Sequence, residues 1–277
     1  MARFVSIMII LILMISSKRN AFAVPNDWNH GCTKSYDKDG NLVWDTPKSA
    51  EEGDLLLLLL HRTDHYLPLK LDGWEYGASC FKNANGQKQC FTKRHCKQMK
   101  DEYCQWFPKG KGRDLATVIF FKTLEKKSSS LPRSFKYKIG GSNPQPGWGF
   151  LLAVKGVDKS DPVRGSSITS ADNSAKSVFP SVHGKKGDLL LLSLAFDDKS
   201  NKSDFLPPAG TDLVNFVSGS DETGFLFSKQ LSSNGDTGEL KTKGNGGSEN
   251  KDALISLVLE SDKDQKARSK NLRKGSR

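Results

Sequence analysis

Two near-copies of one leucine run constrain this chain more than any other feature. Residues 53–66 read GDLLLLLLHRTDHY, and residues 187–198 read GDLLLLSLAFDD. Six leucines fall well short of the ~20 apolar residues that span a bilayer, and Asp54 and His61-Arg62 close the run on both sides. A run this short suits a buried strand or a fragment of buried helix, and periodicity does not separate the two. The second copy separates them: it admits Ser193, ends in an aromatic, and follows Lys185-Lys186-Gly187, which is turn chemistry. Both runs are therefore predicted as strands in sheets with neither face open to water.

The likeness extends beyond the runs. Asp64 lies ten residues past Asp54, as Asp198 lies ten past Asp188. Residues 68–74 (PLKLDGW) match 207–213 (PPAGTDL), and 114–124 (DLATVIFFKTL) match 221–231 (DETGFLFSKQL). FKYKIGGS from Phe135 then matches LKTKGNGGS from Leu240, and WGFLLAVKGVD from Trp148 matches DALISLVLESD from Asp252. Five blocks in one order read as a tandem duplication. Each copy consists of short β-type runs between Gly, Pro, Asn and Ser clusters, with no sustained helical period. The expected fold is all-β: an antiparallel β-sandwich or jelly roll built from two pseudo-symmetric repeats. One copy of about 75 residues closes a core poorly, whereas two packed face to face do better.

The chain divides accordingly. Residues 1–23 carry a basic start, a short apolar core and an Ala21-Phe22-Ala23 cleavage site, the pattern of a secretory signal peptide. Residues 24–51 form an N-terminal extension and 52–158 the first repeat. Residues 159–186 are read as a crossover in which VFPSV (178–182) adds a strand. Residues 187–260 form the second repeat, and 261–277 a basic tail. The expected location is extracellular, with no transmembrane segment in the mature chain. The AFAVP junction also fits a bipartite plastid presequence, the alternative destination.

GDLLLLLLHRTD, LDGW, FFKTL, AVKGVD, PSV, GDLLLLSLAFDD and LPPAG occur in that order over residues 52–260. This arrangement resembles the duplicated β-sandwich modules of bacteriophage tail and receptor-binding proteins and of secreted bacterial surface proteins. The resemblance implies the fold and attachment to surfaces or glycans, and it brings no catalytic residues. The chain departs from that pattern in a long insertion in the first copy and in its basic tail.

Features present in both copies belong to the shared fold, so Asp54/Asp188, Asp64/Asp198, Asp114/Asp221 and Lys122/Lys229 are expected to cap turns and strand edges. Features in one copy are candidates for function. About 40 residues separate Trp74 from Asp114, against ten between Thr211 and Asp221. The excess, residues 80–113, holds Cys80, Cys90, Cys96 and Cys104 spaced C-x9-C-x5-C-x7-C. Such spacing lacks the close pairs of zinc ribbons and favours two disulfides, of unspecified connectivity, over a metal. Cys32 is then free, paired into the insertion, or linked to another chain.

The formal net charge is +11, yet residues 81–113 alone hold nine Lys/Arg against Asp101 and Glu102, and the tail adds +5. Positive charge concentrated this way favours polyanions. With the interleaved aromatics, the candidate ligand-binding residues are Trp74, Tyr76, Lys93, Arg94, Lys97, Trp106, Lys109, Lys111 and Arg113, suited to stacking on and pairing with an anionic sugar. The plainer reading makes the aromatics a small core for the insertion and the lysines its soluble exterior.

Other motifs carry less. His61 and His65 are four apart, which on a strand separates them by ~13 Å, too far for one metal ion. DKDGN (37–41) fits a hairpin turn better than a calcium loop, because its glycine comes too early. Asn201-Lys202-Ser203 is a glycosylation sequon. There is no G-x-S-x-G elbow, HExxH, Walker loop or dinucleotide fingerprint. The sequence thus predicts a secreted, non-catalytic binding or adhesion module without cofactor or metal. Its expected partner is anionic polysaccharide or a cell or particle surface, with no specific nucleic acid. The alternative is a structural protein of a particle, wall or matrix that self-associates, through Cys32 among other contacts.

Overall fold

The structure, a computed structural model, describes residues 29–31, 41–45, 47, 50–63, 73–82, 88–92, 115–125, 134–138, 147–169, 177–196, 203, 205–218, 223–244 and 253–262. Among them every regular element is a strand. In the first half these are β1 (Asn29–Gly31), β2 (Asn41–Asp45), β3 (Leu55–Thr63), β4 (Glu75–Lys82), β5 (Lys88–Thr92), β6 (Leu115–Thr123), β7 (Ser134–Lys138) and β8 (Gly147–Val154). The second half holds β9 (Val163–Thr169), β10 (Val178–Phe179), β11 (His183–Gly184), β12 (Leu189–Phe196), β13 (Phe205–Leu206), β14 (Asp212–Ser218), β15 (Thr223–Gln230), β16 (Gly235–Asp236), β17 (Leu240–Lys241), β18 (Lys243–Gly244) and β19 (Ala253–Leu259).

Among the described residues these strands form two large antiparallel sheets, ordered β1-β8-β3-β6-β4-β5 and β14-β15-β12-β19-β9, and four two-stranded ladders, β2–β7, β10–β17, β11–β16 and β13–β18. Both leucine runs become central strands, β3 and β12. Read from the other edge, the second sheet repeats the first position by position: β9 stands where β1 does, then β19 for β8, β12 for β3, β15 for β6 and β14 for β4. The registers agree as well, since Leu55 faces Thr123 and Leu189 faces Gln230. Each β4-type strand also bulges at one place, after Tyr76 and after Leu213. Among the described residues β5 has no counterpart in the second sheet.

The paired GD dipeptides open both central strands by one mechanism. Gly53 and Gly187 have φ of 86° and 94°, a conformation that favours glycine. Asp54 Oδ2 accepts the Glu51 N–H at 2.8 Å, and Asp188 Oδ2 accepts the Lys185 N–H at the same distance. The turn-capping role expected for these aspartates is what their side chains do. The glycine N–H groups donate to the Leu124 and Leu231 carbonyls at 2.8 Å, locking each turn to the end of its neighbouring strand.

The core explains the unbroken runs. Leu55, Leu57 and Leu59 pack between the sheets with Leu189, Leu191, Leu226 and Leu257. Leu190, Leu192 and Leu194 point the other way, into a second cluster with Phe179, Phe205, Phe225 and Phe227. That outer cluster is roofed by the two-residue ladders β10–β17 and β13–β18, which contribute Phe179 and Phe205. Leu56, Leu58 and Leu60 are equally buried. A sheet covered on both faces has no polar side to alternate with. At about 2 kcal/mol for each fully buried leucine, the first run contributes on the order of 10 kcal/mol of transfer free energy.

Each sheet draws on one continuous stretch of chain, so the described strands form the expected antiparallel sandwich, with one sheet per half. Two expectations need correction. Residues 159–186 are more than a crossover, because β9 joins the second sheet as β1 joins the first; of VFPSV only Val178–Phe179 is strand, and Val182 turns into the outer core. The last pair of blocks is out of step by one residue. Leu55 faces Val154 and Leu189 faces Leu259, so Val154 corresponds to Leu259 and not to Val258.

Gly149 provides a test of the packing. A Cβ there would overlap the Leu59 carbonyl oxygen, which is backbone in a central strand and has nowhere to move. Gly149→Ala should therefore cost about 3 kcal/mol, the upper range for overpacking. The urea midpoint of the variant measures it.

Candidate functional site

Among the described residues β5 adds to β4 an edge that the second sheet lacks. In the second half, β14 returns to β15 across four residues, 219–222; in the first, β4 reaches β6 only after residues 83–114, which include β5. β4 begins after Gly73, whose φ of 75° matches 72° at Gly210. The Lys122 ammonium lies over Gly73 and the Lys229 ammonium over Gly210, each 3.5 Å from where a Cβ would stand. The lysines recur with the turn, as expected of shared features. The residue that follows does not recur: half-buried Trp74 stands where the second half has buried Thr211.

Tyr76 pairs in register with Phe120, beside the bulge. β5 then runs antiparallel to β4, with Lys88 opposite Lys82 and Thr92 opposite Ala78. It therefore delivers the chain toward the end of β4 that carries Trp74. β5 and β4 also lie against β9 of the facing sheet, which seats this edge on the sandwich. Lys93, Arg94, Lys97, Trp106, Lys109, Lys111 and Arg113 lie outside the described residues, as do Cys32, Cys96, Cys104 and Asn201. Cys80 and Cys90 are direct register partners on β4 and β5.

Sequence reasoning missed two buried polar groupings. His61 is fully buried on β3; its Nδ1 is 2.7 Å from Thr117 Oγ1 in its own sheet, and its Nε2 is 2.8 Å from Ser193 Oγ across the sandwich. A neutral imidazole offers one donor and one acceptor, so one hydroxyl donates to it and the other accepts. Burial pushes the imidazole pKa down to about 3. Phe150 closes the site with its ring edge-on at 6.2 Å. Serine and histidine are residue types of a nucleophile and its base, yet Ser193 is 1% exposed and no substrate reaches it. The arrangement ties one sheet to the other. Both ring nitrogens are engaged, which also removes His61 from the His61/His65 metal pair; His65 lies outside the described residues. The legible trace was Ser193 itself, a polar residue inside a leucine run.

The second grouping joins β9 to its sheet. Arg164 donates to Asp188 and pairs with Glu260 at 3.1 Å, while Asp188 Oδ1 also accepts the Ser261 N–H at 2.9 Å. All three side chains are buried. Among the described residues the first half holds a more exposed version. Lys155 binds Glu51 and lies 4.0 Å from Asp54. The hydrogen bond with Lys155 lowers the Glu51 pKa and raises that of Lys155, whereas burial raises that of Asp54.

Comparison of the chain with protein-family models, with curated proteins and with solved structures found no match.

Proposed function

We propose that this protein is a secreted, non-catalytic binding module, made by tandem duplication of one β-sheet unit, that attaches to anionic carbohydrate through the insertion of its first half. Its nearest functional analogy is the duplicated sandwich modules of phage receptor-binding and bacterial surface proteins that its motifs resemble. The observation that carries this reading is the asymmetry of two otherwise matched sheets: β5 and the segment around it replace a four-residue link. That segment concentrates positive charge and aromatics in a chain whose remaining mature body is about −4. Half-buried Trp74 stands at the end of β4 toward which β5 leads. Rings stack on sugar faces, and ammonium and guanidinium groups pair with sulfate or carboxylate.

Retention on heparin and alginate beads tests this. Replacing residues 83–114 by the four-residue GSDE link of the second half should abolish retention without unfolding the sandwich. Exchanging Lys93, Arg94, Lys97, Lys109, Lys111 and Arg113 for glutamine should lower retention at least tenfold. The intact protein should elute below about 1 M salt, where the screening length is ~3 Å. Equal retention of all three proteins removes the insertion from the ligand site.

One observation favours the self-associating alternative. Among the described residues no strand covers the outer side of β14, the edge that β5 occupies on the first sheet. An uncovered edge is a template for a strand of another copy. Gel filtration without ligand separates the readings, since a binder elutes as a monomer and an assembly protein grows with concentration.

A further inference from the structure

The register of the first sheet reduces the cysteine connectivities that the sequence leaves open, and this inference rests on the reading that the chain matures under oxidising conditions. Cys80 and Cys90 face each other directly across β4 and β5, within a paired stretch running from Ala78–Thr92 to Lys82–Lys88. Directly opposed residues of antiparallel strands have Cβ atoms ~4.5–5.5 Å apart and Cα atoms inside the range that a disulfide bridges.

Cys32 lies outside the described residues. It follows Gly31, and one continuous row of register partners runs Gly31, Gly149, Leu60, Val118, Ser79, Phe91 across all six strands. Gly31 is thus four strand spacings from the neighbour of Cys80 and five from the neighbour of Cys90. Four spacings amount to ~19 Å, and a single residue beyond Gly31 adds at most ~3.6 Å of reach. Disulfide partners need Cα atoms within ~7 Å.

We infer that Cys80 and Cys90 form one disulfide, a cross-strand staple of the β4–β5 hairpin, and that Cys32 joins neither of them. Cys32, Cys96 and Cys104 stand outside this bond. The step is a two-electron oxidation: two thiols lose two protons and two electrons as the S–S bond forms, and an acceptor disulfide such as oxidised glutathione takes them and becomes two thiols. The staple closes a loop inside strands that the ladder already pairs. It therefore anchors the root of the insertion and leaves the segment after Thr92 to the remaining cysteines.

Trypsin places the five cysteines of the mature chain on five separate peptides: residues 24–34, 71–82 (LDGWEYGASCFK), 89–93 (QCFTK), 95–97 and 101–109. The full mature chain is refolded in glutathione redox buffer, alkylated without reduction, digested and read by mass spectrometry. The expected product links LDGWEYGASCFK to QCFTK and disappears on reduction. A bond from either of these peptides to any other, or both recovered alkylated, overturns the inference, as does a C32S variant that loses the link. Refolding in vitro separates this outcome from the location of the protein, and bead retention is scored independently, so failure of the staple and failure of the carbohydrate reading are distinguishable.

Discussion

Acidification from pH 7 to pH 4 should remove about 3 kcal/mol of stability that the His61→Gln variant does not lose. The unfolded chain protonates this histidine near pH 6.5, whereas the folded protein holds it neutral down to about pH 3. A lowered folded-state pKa means that stability is fully present above the unfolded value and drains away as pH falls toward the folded one. The slope is at most ~1.4 kcal/mol for each pH unit between the two values. The physical cause is location: protonation would put a charge between two sheets, where two hydroxyls and the Phe150 ring are its surroundings. Glutamine keeps a donor and an acceptor for Thr117 and Ser193 but does not titrate. Urea unfolding of both proteins at pH 7, 5.5 and 4 gives the comparison. The exposed Glu51–Lys155 pair and the raised carboxyl of Asp54 add their own acid responses, which both proteins share. Parallel curves would sink the assignment, and so would a wild-type midpoint that stays level to pH 4.

The second large effect belongs to Arg164. Its removal strands two buried carboxylates, Asp188 and Glu260, whose side chains are 0% and 2% exposed. Breaking a buried ion pair from one side costs about 3–5 kcal/mol, because the surviving charge stays buried without its countercharge. Arg164→Met should fall in that range and loosen β9 from β19. Adding Asp188→Asn and Glu260→Gln should restore much of the loss, since uncompensated charge rather than lost packing causes it. Lys155→Ala in the first half removes the surface counterpart and should cost less than about 1 kcal/mol. Chemical unfolding midpoints give all three values, and hydrogen exchange along β9 locates the damage. A Lys155 variant as unstable as the Arg164 one would refute the distinction between the two halves.

Fold class was legible because burial on both faces writes itself as unbroken leucine, and the GD turns mark where the runs begin. The matched blocks also anticipated which strands would occupy equivalent places. The edges were less legible: β9 contains Arg164, Gly165 and three residues that are Ser or Thr among 166, 167 and 169, so it carries no apolar run to announce a strand. Its membership of the sheet comes from pairing with β19 and from the buried Arg164 ion pairs, which reach residues up to 96 positions away along the chain. Of the candidate site, sequence located the insertion and its charge, and the described residues place only its root, at Trp74, Tyr76, Cys80 and Cys90.

What the amino-acid order determined by itself is therefore local: turn chemistry, strand-length apolar runs, and the unequal distribution of charge between the two halves. These are properties of neighbouring residues, and neighbours are adjacent in any sequence. Only the tertiary structure decided that His61 meets Ser193, 132 positions away, and that Cys80 stands opposite Cys90 while Cys32 follows a strand at the far edge. Those relations depend on sheet order and register. Both are set by how two buried faces pack together, which no single stretch of the chain encodes.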